Sequence, residues 1–125
     1  MIVGSSALVA IVRDEPECDP FVEAIHAAES VRIPAGSLLE TSVVADALGR
    51  PEISRLLDDL VVGLSIDIVP VTAEQVSLGR AAYRDDGRGS GHPAALDFGD
   101  CLAYALARET GEPLLFTADD FVHTD

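Results

Sequence analysis

The stretch "MIVGSSALVAIV" (residues 1–12) decides the fold. Three apolar residues, Met1-Ile2-Val3, run into Gly4-Ser5-Ser6 and then into the unbroken apolar run Ala7–Val12. The pattern reads as a buried strand breaking into a helix, with a small polar corner between them. Such a corner is a favoured place for chemistry. This one holds no side chain that binds a metal ion strongly or moves a proton.

Outward from that corner, strand and helix patterns alternate. Asp19 or Pro20 opens a helix with Phe21, Val22, Ile25 and Ala28 on one face. "VRIPA" (31–35) is a short strand, and a helix follows from Ser37 to Leu48, stopped by Gly49. Ile53, Leu56, Leu57, Leu60, Val61 and Leu64 recur with helical spacing. "IDIVPV" (66–71) alternates and is β-branched, so it reads as a strand. Thr72-Ala73-Glu74-Gln75 has the form of a capping box and starts a helix running to about Arg84. A Gly/Ser-rich loop (85–96) precedes Asp97-Phe98-Gly99-Asp100, which opens a helix that Gly111 ends. "PLLFTADDF" (113–121) is the last strand, leading into an acidic turn. This order predicts an α/β fold, a three-layer α/β/α sandwich around a short, mostly parallel sheet. Ligands of such sheets bind outside the carboxyl ends of the strands.

Composition narrows the function classes. A chain of 125 residues that is 48% hydrophobic fits one domain spanning residues 1–125 with a single core. The longest apolar run is far short of a membrane span, and no signal-peptide pattern is present, so a cytoplasmic protein is expected. Cys18 and Cys101 stand apart, in no metal-ligand spacing, as reduced thiols. Twenty-two acids oppose eight bases, all of them arginine, for a net charge of −14. That balance disfavours broad phosphate gripping and suits a cationic partner, a bound cation or simple solubility. The absence of lysine excludes a P-loop and Schiff-base chemistry. It also argues against a receiver domain. No G-x-S-x-G occurs, and Cys101 fits a packing role at an apolar helix start.

The remaining polar residues gather at predicted strand ends. Glu40 follows the second strand in the first turn of its helix; Asp97 and Asp100 open the late helix; Asp119 and Asp120 follow the last strand. Carboxylates brought to one rim repel one another unless a cation joins them. Mg²⁺ takes hard oxygen ligands and leaves room for a substrate phosphate, so such a rim suits phosphodiester hydrolysis. Each acid also has a local reading. Ser37-x-x-Glu40 has the form of a capping box, Asp97 is an ordinary N-cap, and acids near helix N-termini are favoured by the macrodipole.

"MIV-x-[ST]SALVAI" with an early "DEPE", then "LLET", "LDFGDCLAYALA" and "PLLFTADDF", resembles the PIN-domain ribonuclease toxins of the VapC type, in the family's order along essentially the whole chain. The resemblance implies a Mg²⁺-dependent endoribonuclease site (Mn²⁺ as an alternative ion), a co-encoded antitoxin as partner, an RNA substrate and a homodimer. Position by position, Glu40 matches the family's second acid, Asp100 the third and Asp119 the fourth, with Asp120 as the alternative. Ser6 matches the hydroxyl that borders the metal site. The first acid is missing, because Gly4 stands where the family places a metal-binding aspartate. Impaired cleavage with retained fold and partner binding is therefore expected. The competing expectation is a PIN-fold module that binds antitoxin or RNA without cleaving.

Arg80, Arg84 and Arg88, with His92 beyond, form the one basic stripe available for phosphate; Glu74, Asp85 and Asp86 are equally placed to neutralise it. The apolar stretches Ala7–Val12 and Ile53–Leu64 are expected to offer a groove for an antitoxin helix. His26 and His123 have no ligand-like setting.

Overall fold

The computed structural model describes residues 1–16, 18–86 and 98–115. Its elements are β1 (Ile2–Val3), α1 (Ser5–Val12), α2 (Cys18–Ala27), β2 (Val31–Pro34), α3 (Ala35–Ala47), α4 (Pro51–Gly63), β3 (Ile66–Val69), α5 (Ala73–Asp86), α6 (Phe98–Thr110) and β4 (Leu114–Leu115). The strands form one sheet in the order β3-β2-β1-β4, every pairing parallel. Parallel neighbours need a crossover, and here each crossover is helical. The expected three-layer sandwich is the observed fold.

β1 shows how two residues of alternating orientation build two layers. Ile2 packs against Ala103 and Leu106 of α6, on one face of the sheet. Val3 points to the other face, into a core shared with Leu8, Ile11, Phe21, Ile25, Ile33, Ile53 and Leu57. The register carries this alternation across to β4, where Leu114 pairs with Ile2 and Leu115 with Val3. Ile2, Leu8, Ile33 and Leu106 are essentially inaccessible to water. Burial of each such side chain contributes about 1.5–3 kcal/mol.

Helix ends follow local chemistry. α3 and α6 stop at Gly49 (φ +68°) and Gly111 (φ +72°), left-handed positions that favour glycine. Thr72 caps α5, its Oγ1 accepting from the Gln75 amide at 3.2 Å. The reciprocal half of that capping box is not formed, since the Gln75 side chain instead donates to Glu109 at 3.1 Å. α5 and α6 approach closely at Gly79, where a Cβ would stand 3.1 Å from the Cys101 carbonyl oxygen. Cys101 is buried against Ala82, with Tyr104 and Leu114 beside them, in keeping with a packing role.

Two expectations need correction. The run Ala7–Val12 offers little docking surface, because Ala7, Leu8, Ala10, Ile11 and Val12 are buried and Val9 alone is half-buried; α1 is the central helix of the larger core. α3 begins at Ala35, so Glu40 lies in its second turn and Ser37-x-x-Glu40 is no capping box.

Candidate active site at the amino ends of two helices

The corner after β1 is the first turn of a helix. Gly4 is the N-cap of α1, with extended backbone (φ −82°, ψ 160°) and no side chain to cap the helix. Its amide donates to the Leu115 carbonyl at 3.0 Å, tying the corner to β4. A Cβ placed on Gly4 would lie 3.4 Å from that carbonyl oxygen, 3.8 Å from the Ala103 Cβ and 3.9 Å from the Ser6 Oγ. These are ordinary contacts, so the corner admits a Cβ at position 4 without strain.

Glu40 reaches the same corner from α3. Its Oε1 accepts a 2.5 Å hydrogen bond from the Ser5 hydroxyl, and Ser5 is buried. On its other side the carboxylate fills the space that a side chain on Gly99 would need: a Cβ there would lie 2.5 Å from Glu40 Cδ and 2.8 Å from Oε2, with Oε1 closer still. The Ser37 hydroxyl donates to the Gly99 carbonyl at 3.4 Å, a second tie between α3 and α6. Asp100 follows Gly99 in the first turn of α6 and is buried. Ala103, one turn further on the same face of α6, returns to Gly4. Gly4, Ser5, Glu40, Gly99, Asp100 and Ala103 thus form a closed circuit of neighbours drawn from three helices. Glu40 lies between the amino ends of α1 and α6, whose unpaired N–H groups favour negative charge.

Of the predicted site residues, Gly4, Ser6 and Glu40 border this corner, and Asp100 is buried beside it in the chain, next to Gly99. Asp119 and its alternative Asp120 lie outside the described residues, as do Asp97, Arg88, His92 and His123. Arg80 and Arg84 are exposed on α5, and neither makes an ion pair among the described residues, which leaves the expected pairing with Glu74 or Asp85 unformed. Two contributors, Ser5 and Gly99, were not singled out from the sequence. Ser5 gave no signal, since either serine of Ser5-Ser6 suits a helix start. Gly99 gave one: glycine inside the first turn of a helix is a poor helix former with no evident local purpose.

The described donors suit a hard cation only in part. Glu40 and Asp100 carry carboxylate oxygens, and Gly4 has space for a Cβ, but no group of three His, Cys, Asp or Glu side chains among the described residues stands ready to hold a metal. Mg²⁺ is commonly held by one or two carboxylates plus water and substrate oxygens, so the donors fit it in chemical type and number.

A parallel four-stranded sheet with acids at the amino ends of its helices defines a class, and sequence comparison agrees on which. The PIN-domain family model matches residues 1–123, and the chain belongs to the PIN-domain family. Ribonuclease VapC28 of Mycobacterium tuberculosis is 50% identical over 124 residues, covering 99% of this chain and 93% of the relative. Ribonuclease VapC42 of the same species is 48% identical over 125 residues, covering 100% and 95%. Among solved structures, M. tuberculosis VapC20, described as a sarcin-ricin loop cleaving toxin, superposes with a TM-score of 0.72 at 16% identity, covering 97% of this chain and 92% of that one. A toxin–antitoxin complex from Klebsiella pneumoniae gives 0.67 at 16% identity, covering 98% and 91%. At that identity the structural likeness speaks for the fold.

Proposed function

We propose that this protein is a metal-dependent endoribonuclease, the toxin of a VapC-type pair, acting in the cytoplasm as one PIN domain and weakened by Gly4. The observation that supports the reading is Glu40 seated against Ser5 and Gly99, next in the chain to the buried Asp100, beside a Gly4 that has space for a Cβ. The names of the relatives at 43–50% identity support it. Glu40, Asp100 and Asp119 would hold Mg²⁺ or Mn²⁺, with Gly4 marking the absent ligand and the Ser6 hydroxyl bordering the site. When bound, the ion supplies Lewis-acid stabilisation of charge on the phosphoryl oxygens. The chain's own part is to hold the carboxylates in place: Ser5 fixes Glu40, and burial fixes Asp100 at the start of α6. A carboxylate there orients or deprotonates the attacking water.

An acidic corner on a chain of net charge −14 suits an antitoxin that offers a basic side chain. A second copy of the chain is the further partner we propose. An apolar groove of about 890 Å³ between α5 and α6 supports it, flanked by the exposed Val76, Tyr83 and Phe98. No helix among the described residues is long and apolar enough to cross a membrane.

The test is cleavage of a mixed RNA substrate in Mg²⁺ or Mn²⁺ by Gly4→Asp and by Gly4→Asp combined with Glu40→Gln or Asp100→Asn. Cleavage by the first and its loss in the others is expected. Gly4 itself favours one other reading, a binding module without catalysis. That module would take up no Mn²⁺ even after Gly4→Asp.

A further inference from the structure

We infer that Gly99 and Ser5 form a seat for the Glu40 carboxylate, and that Gly99 is a positioning residue kept as glycine by the carboxylate rather than by the backbone. The inference rests on the proposed metal-site role of Glu40 for its functional meaning, and on geometry alone for the seat itself.

Three observations combine. First, the left-handed glycines among the described residues are Gly49 and Gly111, so Gly99 is not required by its φ. It lies in the first turn of α6, where alanine is the better helix former. Second, what occupies the missing side chain's space is neither core nor backbone. All three of the nearest atoms to a Cβ at 99 belong to the Glu40 carboxyl group. Third, that carboxylate is held from the opposite side by the buried Ser5 hydroxyl at 2.5 Å. A methyl at 99 therefore cannot be accepted while Glu40 keeps its bond to Ser5; one of the two has to give. Because Asp100 is the next residue, the notch also fixes where Glu40 stands relative to the α6 acid. Ser5 sets one oxygen of Glu40, and Gly99 sets how close the whole group approaches α6. Other glycines near helix crossings differ in kind: Gly79 faces the Cys101 backbone and Gly36 the Leu102 side chain, which are packing contacts.

The seat is tested by a stability cycle and a metal titration on the full chain. The cycle compares Gly99→Ala, Glu40→Ala and the double variant by thermal unfolding without metal. Gly99→Ala is expected to lower the Tm by about 4 °C or more when Glu40 is present. With Glu40→Ala, the same substitution is expected to be neutral or to raise the Tm. An equal drop in both backgrounds overturns the inference, since a purely structural glycine is indifferent to residue 40. In the Gly4→Asp background, Gly99→Ala is expected to weaken Mn²⁺ binding at least tenfold; unchanged affinity overturns the positioning role. If Gly99→Ala does not fold, Ser5→Ala and Ser5→Thr replace it. Loss of Mn²⁺ affinity with alanine and recovery with threonine is expected, and equal behaviour of the two overturns the seat. Failure of Gly4→Asp itself to bind Mn²⁺ sinks the metal reading of the site, and the metal-free cycle still judges the seat.

Discussion

Placing aspartate at position 4 is predicted to strengthen divalent-ion binding about 100-fold and to bring out RNA cleavage. The backbone at Gly4 (φ −82°, ψ 160°) suits any L-residue, and the nearest atoms to a new Cβ stand 3.4–3.9 Å away, so neither the backbone nor the Cβ is strained. Position 4 caps α1 without a side-chain hydrogen bond, and exchanging a glycine N-cap for aspartate contributes a few tenths of a kcal/mol. The larger effect is electrostatic. Two unit charges about 4 Å apart interact by about 4 kcal/mol at an effective dielectric near 20, and a divalent ion doubles this. If about one third survives desolvation, about 2.7 kcal/mol remains, a factor of about 100. Without metal, gathered carboxylates repel one another, so the new side chain brings no such gain. The assay therefore needs no RNA. Thermal unfolding is followed with rising Mn²⁺, and saturating metal should stabilise Gly4→Asp by up to about 2.7 kcal/mol more than the parent. Identical metal-induced shifts in the two chains refute the reasoning, and so does equal RNA cleavage.

Two further predictions concern the frame around the site. The Glu112 carboxyl is held down to about 2, chiefly by the Arg32 guanidinium and also by the Met1 amino group and the Thr110 hydroxyl, against partial burial. Its folded value lies below the ordinary 4.5, so the stabilisation is complete above pH 4.5 and is lost as pH falls towards 2. Allowing for its partial exposure, Glu112→Gln should cost about 1–2 kcal/mol at pH 7 and progressively less as pH falls from 4.5 through 2, as read by urea unfolding across that range. Gly79→Val should destabilise the fold by about 1–3 kcal/mol, because a Cβ there already stands 3.1 Å from the Cys101 carbonyl oxygen and α5 and α6 would have to part; chemical denaturation measures it.

Much of the frame was legible in the letters because it depends on local physics. Alternating strand and helix patterns placed every described strand and helix, and Gly49 and Gly111 were read as helix stops from chain position alone. Glu40 and Asp100 were legible as candidates for a different reason, the order of their motifs along the chain. Their local sequence pointed the other way, since Ser37-x-x-Glu40 has the letters of a capping box. The structure removes the capping box: Ser37 turns to the Gly99 carbonyl and Glu40 to Ser5, partners 62 and 35 residues away.

What the sequence by itself determined is the alternation of elements, the parallel sheet it implies, and the absence of an acid at position 4, because these are properties of neighbouring residues and of one-dimensional order. What only the tertiary structure decided is which groups meet: that α1 is mostly interior rather than a docking face, that Ser5 holds Glu40, and that Gly99 leaves room for a carboxylate from another helix. Hydrogen bonds and steric exclusion act over a few ångströms of space. Residues 5, 40 and 99 come within that range only when three helices converge on the end of a short sheet.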